Sequence, residues 1–79
     1  MDITQIFSNL TEIFQTVFDD DSIVATPELT ADEIDEWDSL SNLRLMLTVE
    51  KHFKVKFSAA EIGKLKNVGE LAGLIQSKL

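Results

Sequence analysis

Ser39 lies in the run Ile34-Asp35-Glu36-Trp37-Asp38-Ser39-Leu40, where an acidic stretch gives way to an apolar, helix-forming one. A hydroxyl at such a junction is exposed. It sits where a helix offers unpaired N–H groups and the positive end of its dipole. That environment suits a phosphodiester. No base stands at a spacing that would activate the serine, so its chemistry is that of an attachment point and not of a nucleophile.

The other reactive residue types lead nowhere comparable. His52 is the only histidine and has no serine or carboxylate at a triad spacing, so it reads as a surface histidine near a helix end. Asp19, Asp20 and Asp21 suggest calcium, but Ile23 and Ala25 fall where a calcium loop needs oxygen ligands, and the central glycine is absent. Asp35 and Glu36 read as solvated loop carboxylates. Gly63, Gly69 and Gly73 all follow Ile62, which leaves no glycine-rich phosphate loop. The absence of cysteine excludes disulfides, zinc ribbons and thiol catalysis. Ser39 has its own plain reading as a helix cap, since Ser and Asp are both favoured there. Asp38 can cap the helix alone, however, which frees the Ser39 hydroxyl, and Leu40 can anchor the backbone behind it.

Four helices must position this serine. Ile3, Ile6, Phe7, Leu10, Ile13, Phe14, Val17 and Phe18 recur at helical spacing, with Asp2 as cap and three aspartates as stop. Residues 19–38 form a long connection, anchored by Ile23, Val24, Leu29, Ile34 and Trp37, with a short helical turn near Ala31. A second helix is expected from Leu40 to Phe53, its inner face marked by Leu40, Leu43, Met46, Leu47 and Phe53 and widened by Leu45 and Val49. The link Lys54–Phe57 buries Val55 and Phe57. Ser58 and Glu61 form a capping box for a short third helix through Ile62 and Leu65. Asn67 caps the last helix, which turns Val68, Leu71, Ala72, Ile75 and Leu79 inward, with Gly69 and Gly73 allowing close packing. The expected fold is all-α: one domain over residues 1–79, a bundle of three main helices and a short third, with a long first loop.

Charge is divided unevenly along this bundle. The chain has 79 residues and a net charge of −7. Eleven of its 14 acids precede Arg44, the first cation, and only Glu50, Glu61 and Glu70 follow it. An acidic half repels nucleic acid and anionic lipid and attracts basic protein surfaces. No apolar run approaches the roughly 20 residues of a membrane span, and the N-terminus lacks signal-peptide features. A cytoplasmic, monomeric protein is expected.

Taken together, the Asp38-Ser39-Leu40 triplet, the long loop before it, the order of elements and the block from Leu40 to Val68 resemble the acyl carrier proteins and related peptidyl carrier domains. The resemblance covers nearly the whole chain. It implies a 4'-phosphopantetheine arm placed on Ser39 from coenzyme A by a phosphopantetheinyl transferase, with an acyl thioester on the arm's thiol. It implies no catalytic residues of the chain's own, and the residues themselves offer no metal set. Asp38, Leu40, Leu43, Arg44, Met46 and Ile62 would serve the motif and partner recognition. Phe7, Leu47, Phe57, Ile62 and Leu65 would face an acyl cavity. Partners would be acyl-activating ligases or synthases of fatty acid, polyketide or specialised acyl biosynthesis. Fatty-acid-synthesis carriers typically have an acidic second helix; here Arg44 stands where the family often has Glu, and Trp37 replaces the common small residue. The expectation is therefore a dedicated carrier of a specialised pathway. An aminoacyl carrier of a nonribosomal-type pathway and an unmodified interaction module are the rival readings.

Overall fold

Asp2 starts the first helix through a reciprocal pair of bonds. Its carboxylate accepts from the Gln5 N–H at 2.9 Å, and its own N–H donates to Gln5 Oε1 at 3.0 Å. Two donors that a helix start leaves orphaned are thereby satisfied. In the computed structural model, which describes all 79 residues, α1 then runs Ile3–Phe18. Ile6, Leu10, Ile13, Phe14 and Phe18 are buried along one stripe. The helix stops at Asp19, which takes the left-handed conformation (φ 50°). A short polar side chain tolerates that region better than most.

The loop 19–38 is tied down by backbone bonds as well as by side chains. Gln15 Nε2 donates to the Asp21 and Ile23 carbonyls, and Thr11 Oγ1 accepts from the Ala25 N–H. Ile23, Ala25 and Ile34 are buried, and Leu29 and Trp37 pack half-buried against the core. Val24 is exposed, contrary to expectation, because its neighbours Ile23 and Ala25 in this extended segment both turn inward. Residues Ala31–Glu33 form a single 3-10 turn.

Three further helices complete the bundle: α2 over Ser39–Phe53, α3 over Ala59–Gly63 and α4 over Val68–Lys78. There is no strand, and the all-α order of three main helices with a short third is as expected. α1 packs against both α2 and α4. The core is one continuous apolar cluster with no buried polar residue. No helix is long and apolar enough to cross a membrane.

Within that frame, α2 faces differently from its expected orientation. Leu45, Met46, Val49 and Phe53 are buried. Leu40, Leu43 and Leu47 are 73%, 56% and 49% exposed and form a stripe on the outer side. Both sets have helical spacing, so the pattern alone did not separate them; packing on α1 selects the first. Two smaller differences concern α4. Leu79 is exposed beyond the last turn, and a Cβ at Gly73 would meet nothing. Gly69 is the constrained glycine. A Cβ there would lie 2.9 Å from the Pro27 carbonyl oxygen, which accepts the Gly69 N–H at 3.0 Å. The adjacent Val68 N–H donates to the Leu29 carbonyl at 2.9 Å, so loop carbonyls satisfy the start of α4.

This assignment of faces is measurable by urea unfolding. Leu45→Ala is expected to cost about 2–5 kcal/mol, as for a fully buried leucine. Leu47→Ala is expected to stay within about 0.5 kcal/mol, as for a surface change. A larger loss at Leu47 would contradict the orientation of α2.

Candidate functional site

The start of α2 is held by Asp38 and Ser41. The Asp38 carboxylate accepts from the Ser41 N–H at 2.9 Å, and Ser41 Oγ accepts from the Asp38 N–H at 2.8 Å. The Ser41 hydroxyl in turn donates to the Glu36 carbonyl at 2.7 Å. Both side chains are thus committed to the cap. Ser39, at the first helical position between them, makes no side-chain hydrogen bond and is exposed. Its hydroxyl stays outside the cap, as its sequence position suggested.

The Asp38 carboxyl is held below the usual carboxylate range, chiefly by the Ser41 backbone N–H and then by the Ser41 hydroxyl. Asp20 and Glu61 are lowered in the same way, by Ser22 and Ser58 respectively, with Lys78 adding to the effect on Glu61.

A cleft of about 400 Å³ opens beside Ser39. Ser39, Asn42 and Met46 line it from α2, one helical face at i, i+3 and i+7. Trp37 and Ala31 line it from the loop, and Ile62 and Leu65 from α3 and its end. Lys66 and Asn67 join the rim, while Val68 and Leu71 of α4 form the apolar floor. Trp37 is fixed from behind: its ring meets Phe14 edge-on at 5.2 Å between centroids and Phe18 at 6.0 Å. Its indole Nε1–H donates to Asn42 Oδ1 at 2.9 Å.

The short α3 is fastened at both ends. The Glu50 carboxylate accepts the Phe57 N–H at 2.7 Å just before it, and Glu61 pairs with Lys78 of α4 at 3.1 Å. His52, exposed as expected, meets Asn9 Oδ1 at 2.7 Å and so links α2 to α1. No group of three or more His, Cys, Asp or Glu side chains is arranged to hold a metal ion.

No family model and no curated protein matches the chain. Among solved structures, it is similar to a holo acyl carrier protein from Geobacter metallireducens determined by solution NMR. The two share 54% identity over 91% of this chain and 83% of the other, with a TM-score of 0.87. The chain belongs to the acyl carrier protein family.

Within this carrier fold, the residues singled out in the sequence divide into three places. Asp38, Ser39, Met46, Ile62 and Leu65 gather at the cleft. Leu40, Leu43, Arg44 and Leu47 lie exposed on the outer side of α2. Leu47 belongs to that outer stripe and does not line the cleft. Met46 is 3% exposed, so it is closed to an approaching protein and serves as cleft wall. Phe7 and Phe57 pack half-buried against the core and do not line the cleft. Of the polar residues at the cleft, Asn42, Lys66 and Asn67 were not among the expected site residues. Asn42 was discoverable from its spacing to Ser39 and Met46; the other two come from the α3–α4 link, which has no periodicity to read.

The lowered Asp38 carboxyl has a consequence for stability. A depressed carboxyl stabilises the fold above its unfolded value of about 3.9, and that contribution is lost as pH falls through the lower folded value. Asn at this position retains the cap without the charge. The melting-temperature advantage of the wild type over Asp38→Asn should therefore be constant near neutrality and shrink below about pH 4. Melting curves that stay parallel to pH 2 would contradict the role given to the charged cap.

Proposed function

We propose that residues 1–79 act as one carrier domain that holds an acyl group as a thioester on a 4'-phosphopantetheine arm esterified to Ser39. The carrying observation is the division of labour at the start of α2. Asp38 and Ser41 satisfy each other, and Ser39 Oγ is left exposed and unbonded. The holo state of the similar Geobacter carrier supports the same reading.

The residues present fit such a group. A phosphodiester on Ser39 would sit at the first turn of a 15-residue helix, where the dipole favours negative charge. The cation Lys66 stands on the same cleft rim. Asp38 opposes this with its own charge. A phosphopantetheinyl transferase would supply the arm from coenzyme A: Ser39 Oγ bonds to the phosphorus, the adenosine bisphosphate portion leaves, and the hydroxyl proton passes to the transferase. When bound, the arm contributes the thiol that this cysteine-free chain lacks. The chain itself contributes attachment, a cleft for the cargo's apolar part and a docking surface, and no catalytic residue.

The outer stripe of α2 bears on the partner. Leu40, Leu43 and Leu47 surround Arg44, so this surface offers apolar contact and a positive charge. A basic partner surface would be repelled at Arg44. We therefore assign the carrier to a specialised pathway with its own ligase or synthase, working in an aqueous compartment.

Intact mass tests the attachment. Incubation with coenzyme A, magnesium and a broad-specificity phosphopantetheinyl transferase should add one phosphopantetheine to the wild type and none to Ser39→Ala. Failure of loading, also with the native host's transferase, would favour an unmodified interaction module. Once loaded, the wild type should be a poor substrate for a general fatty acid synthase, and Arg44→Glu a better one. Efficient elongation of the wild type would remove the case for a specialised pathway.

A further inference from the structure

The first turn of α2 carries a second oriented group on the same side as Ser39. Asn42 Oδ1 accepts the Trp37 indole N–H at 2.9 Å. An indole nitrogen can only donate, so the atom facing it must be the amide oxygen. The amide Nδ2, with two N–H donors, therefore points the other way. It makes no hydrogen bond within the protein, whereas no fully buried side-chain nitrogen or oxygen is left unpaired. Nδ2 is therefore accessible to solvent, on a residue that lines the cleft with Ser39 and Met46.

This orientation is set in advance. Trp37 is held by Phe14 and Phe18, and Asn42 is held by Trp37. The Asn42 N–H on the main chain is bonded to the Asp38 carbonyl at 2.8 Å, which fixes the backbone as well. A donor restrained on both sides loses little conformational freedom when it binds. Core packing of α1 is thus transmitted, through two side chains, to a free donor one helical turn from the attachment point.

We propose that Asn42 is a positioning residue for the arm: its Nδ2 donates to an oxygen acceptor on the pantetheine portion and lays the arm across the mouth of the cleft. The inference rests on the attachment to Ser39. It gives Trp37 a purpose beyond filling space, because a small residue there would leave the Asn42 amide free to rotate. It also directs the cargo inward, past Met46 and toward Ile62 and Leu65.

The decisive experiment is a comparison of apo and holo protein by 1H–15N NMR, with loading first confirmed by intact mass. In the holo wild type, the Asn42 Nδ2 protons should shift and exchange with water several-fold more slowly than in the apo protein. The Trp37 indole signal should persist in both. Asn42→Asp keeps an oxygen for Trp37 and replaces the donor by a carboxylate oxygen. In that variant the arm's own amide signals should move toward those of free pantetheine while the indole signal remains. Unchanged Asn42 Nδ2 signals in fully loaded wild type would overturn the proposal, whatever the behaviour of the variant. Failure of loading would instead count against Ser39 as the attachment site, so the two ideas fail separately.

Discussion

The pair of hydrogen bonds between Asp38 and Ser41 is the constraint on which the site depends. A helix start exposes more donors than it can satisfy, and the nearest polar side chains are drawn into capping it. Ser39 stands between two such side chains and escapes the task because both neighbours already perform it. Had Ser39 been the cap, its hydroxyl would have been occupied and turned onto the backbone. Chemical availability at this position is therefore a product of how the cap is shared.

The second requirement is that α2 be held at the right angle to everything around it. This is accomplished from the core outward. α1 buries Phe14 and Phe18, these fix Trp37, and Trp37 fixes Asn42 in the first turn of α2. On the far side, Glu50 secures the start of α3 through the Phe57 N–H, and the Glu61–Lys78 pair ties α3 to α4. α3 has only five residues and no fully buried side chain. So short a helix is marginal alone, and its capping box and these two ties hold it over the cleft. The cleft thus has a long, core-packed wall in α2 and a short one in α3 that depends on these ties.

Much of this was legible in the sequence, for identifiable reasons. The caps at Asp2, Asp38, Ser58 and Asn67 are local patterns, and all four form. α1 is polar on one side, so its buried stripe was unambiguous. α2 is apolar around more than half its circumference, and there periodicity could not choose between two stripes. Leu40, Leu43 and Leu47 satisfy the spacing as well as Leu45, Met46, Val49 and Phe53 do, and only the position of α1 decides. Of the residues expected at a cavity, Phe7 and Phe57 pack against the core and Leu47 lies on the outer stripe, so none of the three lines this cleft. The Trp37–Asn42 bond crosses a helix cap, where no repeat period applies. Lys66 and Asn67 reach the cleft only through the turn between α3 and α4.

Fragmentation mapping of the loaded protein distinguishes Ser39 from the chain's other serines, whose surroundings differ. Ser41 is the closest competitor, two residues away, but its hydroxyl is bonded to the Glu36 carbonyl and its oxygen to the Asp38 N–H. The added phosphopantetheine should be found on the peptide fragment that isolates Ser39, with none on Ser41. A modification at Ser41, or divided between the two, would show that the cap does not reserve one hydroxyl for attachment.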